Sequence, residues 1–150
     1  MFGPDVRPDA RFPPTERTDG LLEVGTSRAG VTDTQLELYQ KTAAAVAAMV
    51  VDPARRNFII PCQPADDKKA DQACARTFLA RIGPLLYRQP LDAERIDDLV
   101  AQATNSADKL KDFYAGLAVA VEAMLVSPNV LFVAENAEPD PARRPAVHTW

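Results

Sequence analysis

The sequence predicts an all-α fold of four amphipathic helices, over about 34–51, 71–86, 93–104 and 107–126. Three observations predict it. Apolar residues recur at helical spacing in four stretches, and the links between those stretches are short. No stretch alternates apolar and polar residues as a half-buried strand does. With 150 residues the chain is one domain's worth, long enough to enclose a hydrophobic core. The division that follows is an extended arm over 1–33, a helical domain over 34–135 and a loose tail over 136–150.

The arm holds four of the 13 prolines (Pro4, Pro8, Pro13, Pro14) and four of the six glycines (Gly3, Gly20, Gly25, Gly30). Proline removes backbone donors and glycine loosens the chain, so no long element fits there. Leu21, Leu22 and Val24 give it enough apolar surface to lie on a core. In the first helix Leu36, Tyr39, Ala43, Val46 and Val50 share one face. Thr34 or Asp33 is placed to cap it, with Glu37 completing a capping box after Thr34. Asp52-Pro53 ends it, and its alanine-rich middle permits close helix packing. Phe58-Ile59-Ile60-Pro61 reads as a short extended piece, and residues 63–69 as a polar surface loop.

The second helix sets Cys74, Ala75, Phe78, Leu79, Ile82, Leu85 and Leu86 on one side, with Gly83-Pro84 expected to bend or break it. Asp92 is a good N-cap for the third helix, whose inner stripe is Ile96, Leu99, Val100 and Ala103. Asn105-Ser106 is expected to close that helix. The fourth carries Leu110, Phe113, Tyr114, Leu117, Val121, Met124 and Leu125 at helical period. Ser127-Pro128 ends it, before the short apolar run Val130 to Val133. Beyond Glu135, proline and charge dominate.

Composition excludes several functions. A net charge of −4 and a pI near 5.0, with basic residues interleaved among acids, argue against a nucleic-acid surface. The longest apolar run, Ala43 to Val51, is nine residues, whereas a membrane-spanning helix needs about 20. The opening MFGPDVRP has neither the basic flank nor the apolar segment of a signal peptide.

Chemistry-bearing residues are few. Cys62 and Cys74 are the only cysteines, and His148, the only histidine, stands far off in the tail. A structural zinc site needs four such ligands, so no metal site is expected. Without a Cys-x-x-Cys-His motif, no haem is attached within this chain and no cofactor is expected. Two states of the cysteines are open, a disulfide or two buried thiols. One cysteine just outside a helix and another in its first turn can reach the ~5.5 Å a bridge requires. That bridge would contribute about 3 kcal/mol in the chain-entropy model. The pair's closeness in sequence favours it, and a bridge implies a periplasmic or otherwise exported setting.

A catalytic triad lacks a suitable histidine. Asp66, Asp67, Asp97, Asp98 and Asp112 fall mostly on solvated faces, and Asp97 and Asp98 point different ways. Glu122, beside the apolar stripe, reads as one half of a salt bridge rather than an acid catalyst. Gly83 and Gly116 are isolated, so no phosphate loop is present. Arg81 and Arg88 flank Tyr87 and form either an anion site or, preferably, ion pairs with Asp92 or Glu94. No catalytic residue is therefore assigned.

A series of short motifs carries a family resemblance. It begins with Arg11-Phe12-Pro13-Pro14 and Gly20, then Leu38-Tyr39 to Ala48, Pro61-Cys62, Cys74-Ala75-Arg76 and Phe78. It continues with Tyr87-Arg88-Gln89-Pro90-Leu91, Phe113-Tyr114-Ala115-Gly116-Leu117, and Ser127-Pro128 through Leu131-Phe132 to Glu135. In this order they resemble the planctomycete-type domains of unknown function numbered fifteen ninety-five and fifteen ninety-two. Gln89 stands where the family has a second arginine. The resemblance marks Tyr87, Arg88, Pro90, Leu91, Gly116, Ser127 and Pro128 as a structural motif. It implies an internal section of a large exported bacterial protein, with any signal peptide upstream, often beside a planctomycete cytochrome c domain. It implies no activity for any residue.

The function expected is that of a helical scaffold or interaction segment, associated with electron transfer through that domain company. Its partners would be the remaining domains of the larger protein or another chain. The alternatives are an enzyme domain whose catalytic residues lie outside this chain, and a stand-alone protein-binding module.

Overall fold

Among the described residues six helices succeed one another: α1 (Asp33–Val51), α2 (Arg56–Ile59), α3 (Gln72–Tyr87), α4 (Ala93–Leu110), α5 (Phe113–Leu125) and α6 (Pro128–Leu131). The computed structural model describes residues 2–3, 6–12 and 32–132, and among these there is no strand. The all-α prediction holds. The expected arm over 1–33 lies largely outside the described residues and the tail over 136–150 wholly outside them. Of the arm, Phe2 packs against the core, and the Phe12 ring lies 5.0 Å from that of Tyr39.

The core is built around α5, which packs against α1, α3, α4 and α6. Its sequence is apolar nearly all round, and Phe113, Tyr114, Gly116, Leu117, Ala120, Val121 and Met124 are buried. A helix so patterned must be covered on more than one side. On one side α1 supplies the small residues Ala43 and Ala47 together with Val50; on another α4 supplies Leu99, Val100, Ala103 and Ala107. The second helix of the prediction, α3, adds Phe78, Leu79, Ile82 and Leu86 to the same core.

Several boundaries differ from the sequence reading. The capping box of α1 is Thr32 with Gln35, not Thr34 with Glu37: Thr32 Oγ1 accepts from Gln35 N–H and Gln35 Oε1 from Thr32 N–H. Starting the helix earlier leaves Leu36 in its exposed first turn. Residues 56–59 close one helical turn instead of an extended piece, because Ile60 N–H donates to Arg56 O. Pro84 does not stop α3, which runs to Tyr87 with buried residues on both sides of the proline. Leu85 falls off the buried stripe and is 60% exposed.

The largest difference lies between α4 and α5. Asn105-Ser106 sits inside α4, where Thr104 Oγ1 donates back to Val100 O instead of competing with the helix. Buried Ala103 and Ala107 on either side keep that segment against α5. The turn comes at Lys111, in left-handed backbone (φ 55°), followed by Asp112 as the N-cap of α5. Leu110 consequently ends α4 as an exposed residue and not within the stripe of the next helix.

Candidate functional site

Two assemblies occupy the ends of the helices: one holds both cysteines, the other most of the structural motif. The first is built on the cysteines. Asp71 caps α3, its Oδ1 accepting from Cys74 N–H at 2.9 Å, which fixes Cys74 as the third residue of the helix. The other carboxylate oxygen accepts from Ala65 N–H at 3.3 Å, drawing the intervening loop back onto the helix start. Cys62 and Cys74 are thereby set at disulfide distance, with sulfurs 2.07 Å and Cα atoms 5.6 Å apart. Cys74 is buried, 4% exposed, whereas Cys62 is partly open to solvent.

The loop these cysteines close is also tied to α5. Asp67 O accepts from Phe113 N–H at 2.8 Å. That donor belongs to the first residue of α5, where no carbonyl of the same helix can receive it. The Arg56 guanidinium on α2 reaches the Asp67 carboxylate at 3.4 Å and covers the Tyr114 ring at 3.7 Å from its centroid. Partial exposure limits the ion pair to about 0–1 kcal/mol, and the cation–π contact contributes about as much. Burial raises the Tyr114 phenol above the ordinary tyrosine range; the nearby Arg56 cation opposes the shift, while Asp67 and Asp112 add to it.

The second assembly is the joint from Tyr87 to Leu91. Arg88 ends α3 in left-handed backbone, φ 57°. Its guanidinium does not pair with Asp92 or Glu94, as the sequence suggested. It donates to Val130 O at 2.9 Å and Phe132 O at 3.3 Å, so it holds the end of α6. Buried Tyr87 accepts at its hydroxyl from Arg95 of α4 at 3.1 Å. Pro90 and Leu91 lead into Asp92, which caps α4 by accepting from Arg95 N–H. Leu91 lies against Gly83, where a methyl group would meet its Cδ1 at 2.5 Å. Ser127, buried, precedes α6, and Pro128 occupies that helix's first turn.

Tyr87 and Leu91 thus join α3 to α4, and Arg88 joins α3 to the α6 segment that Ser127-Pro128 opens. Gly116 stands apart, in the seam between α4 and α5. The acids considered for chemistry serve other ends: Asp112 caps α5, Asp97 pairs with Arg76 across α3 and α4, and Asp66 accepts from Lys68 N–H. Glu122 forms no ion pair among the described residues, contrary to expectation. Sequence reasoning missed the Arg56–Asp67–Tyr114 contact. Its members are scattered along the chain, and no local pattern joins them.

Residues 74–135 match the family model PSD5, protein of unknown function (DUF1595). The match takes in the joint, Gly116 and one cysteine, and leaves Cys62, α1 and α2 outside. No curated protein matches the chain. No solved structure matches it either. No described helix is long and apolar enough to cross a membrane.

Proposed function

We propose that this chain is a helical scaffold segment of a larger exported bacterial protein, and that it serves by holding neighbouring domains in place. The observation that carries the reading is the use made of the polar side chains. Arg56, Asp67 and Asp71 position the cysteine loop; Arg88 and Arg95 tie helix ends together; Asp92 and Asp112 cap helices. These seven side chains, of types suited to binding or catalysis, are engaged in maintaining the frame. Exposed Phe58, Leu85 and Leu110, on three helices, offer apolar surface for adjoining domains. The cysteine pair at disulfide distance favours export, because such bridges persist in oxidising compartments.

On this reading the segment binds no cofactor or nucleic acid of its own. Any tie to electron transfer comes from neighbouring domains of the cytochrome c type. The family match over 74–135 is consistent with the internal-section view. An antibody raised against the chain and applied to fractionated source cells tests the proposal. A band well above 16.3 kDa in the exported fraction is the expected result. A 16.3 kDa species confined to the cytosol contradicts it.

A further inference from the structure

We infer that the Cys62–Cys74 bridge is a reversible clasp: a dithiol reductant opens it through Cys62, and opening frees the 63–71 loop from the start of α5. Access decides the first half of the argument. An attacking thiolate must approach a sulfur along the S–S axis, and Cys74, at 4% exposure, is shielded while Cys62 is partly open. Cys74 is also the third residue of the 16-residue α3, where the helix dipole favours a departing thiolate, although its own N–H is held by Asp71.

The exchange balances as follows. The reductant's thiolate forms a bond to Cys62 Sγ as the Cys62–Cys74 bond breaks, and the electron pair leaves on Cys74 Sγ, which then takes up a proton. The reductant's second thiol attacks the mixed disulfide, releasing Cys62 as a thiol and closing a disulfide in the reductant. Two electrons pass to the chain and two thiols remain on it. The reductant is of the vicinal-dithiol class.

The second half concerns what the bridge holds. Once it opens, the loop is held by Asp71, which caps α3 and accepts from Ala65 N–H, and reaches beyond it through the partly exposed Arg56–Asp67 pair and the Asp67–Phe113 backbone bond. Each is worth little alone, and the last depends on the loop staying in place. The Phe113 amide has no partner within α5, so its protection from solvent exchange reports the loop directly. Reduction therefore exposes the N-terminus of the helix that α1, α3 and α4 all pack against.

The experiment uses the full chain, first oxidised in vitro and verified by intact mass, so it reads the clasp whether or not the protein is exported. A Cys-x-x-Cys reductant whose second cysteine is replaced by serine is mixed with it, and the trapped adduct is mapped by peptide mass spectrometry. The adduct is expected on Cys62. In parallel, amide hydrogen exchange is followed before and after dithiothreitol and again after reoxidation. Exchange at Phe113 is expected to accelerate by about tenfold or more on reduction and to recover on reoxidation. The C62S/C74S double variant is expected to match the reduced chain. Failure to form the bridge, an adduct on Cys74, or unchanged exchange at Phe113 overturns the inference.

Discussion

Substituting Gly116 by alanine tests the packing at the centre of the fold. A methyl group there would lie 2.5 Å from Ala103 O, 2.5 Å from Ala107 N and 2.6 Å from Ala107 Cβ. Ordinary contact begins at 3.4 Å, so α4 and α5 must separate by about 1 Å. The obstructing atoms belong to the backbone and a Cβ, and no rotamer change relieves them. Overpacking of this kind costs about 3 kcal/mol, at the upper end of the usual range, because two whole helices must move. Replacing glycine inside a helix returns about 1 kcal/mol of propensity. The net expectation for Gly116→Ala is a loss of about 2 kcal/mol.

Gly83→Ala is the internal comparison. Its methyl would also lie 2.5 Å from a neighbour, but that neighbour is Leu91 Cδ1, the end of a flexible side chain, with the next atoms at 3.6 Å and 3.8 Å. Rotation of Leu91 relieves the contact, so the change stays within about 1 kcal/mol of the parent. Urea denaturation followed by circular dichroism measures both variants. If Gly116→Ala were as stable as the parent, or less perturbed than Gly83→Ala, the close α4–α5 seam would be wrong.

Three further outcomes follow from single residues. Lys111→Gly is expected to stabilise the chain by about 0.5–1 kcal/mol, since glycine adopts φ 55° without the penalty lysine carries; a destabilised variant speaks against the turn at this position. Arg88→Ala removes two hydrogen bonds to the end of α6 at a cost of about 1–2 kcal/mol, and faster amide exchange in residues 129–132 is the direct readout. Arg88→Gly loses the same bonds but relaxes the left-handed backbone, so it should be the milder of the two in denaturation. Spectrophotometric titration should find the Tyr114 phenol ionising above the ordinary value of 10.0. The unfolded chain then loses this proton first as pH rises. Stability from this group is complete below pH 10.0 and declines as pH climbs through its raised folded value. A Tyr114 that titrates at or below 10.0 contradicts its burial.

Much of the frame is legible in the residues because the signals are local. The stripe from Cys74 to Leu86 and that from Phe113 to Met124 mark buried helix faces, and Asp92 announces its helix by side-chain chemistry alone. The cysteine loop was legible for the same reason, one cysteine before a helix and one in its first turn. What was not legible depended on tertiary compensation. A lysine in left-handed backbone carries no glycine to mark the turn at Lys111, while Thr104, Asn105 and Ser106 look like a helix end and are held inside α4 by buried alanines. Arg88 looked free to pair with nearby acids, yet its partners are carbonyls some forty positions further on.

On the proposed function, the cysteine loop is a covalently closed clip at the head of α5 in a protein that reaches an oxidising compartment. The direct measurement is the intact mass of the protein isolated from source cells under acid quench, after alkylation without and then with reductant. No alkylation of Cys62 or Cys74 is expected until the reductant is added, and two adducts afterwards. Two adducts without reductant would contradict the proposed function.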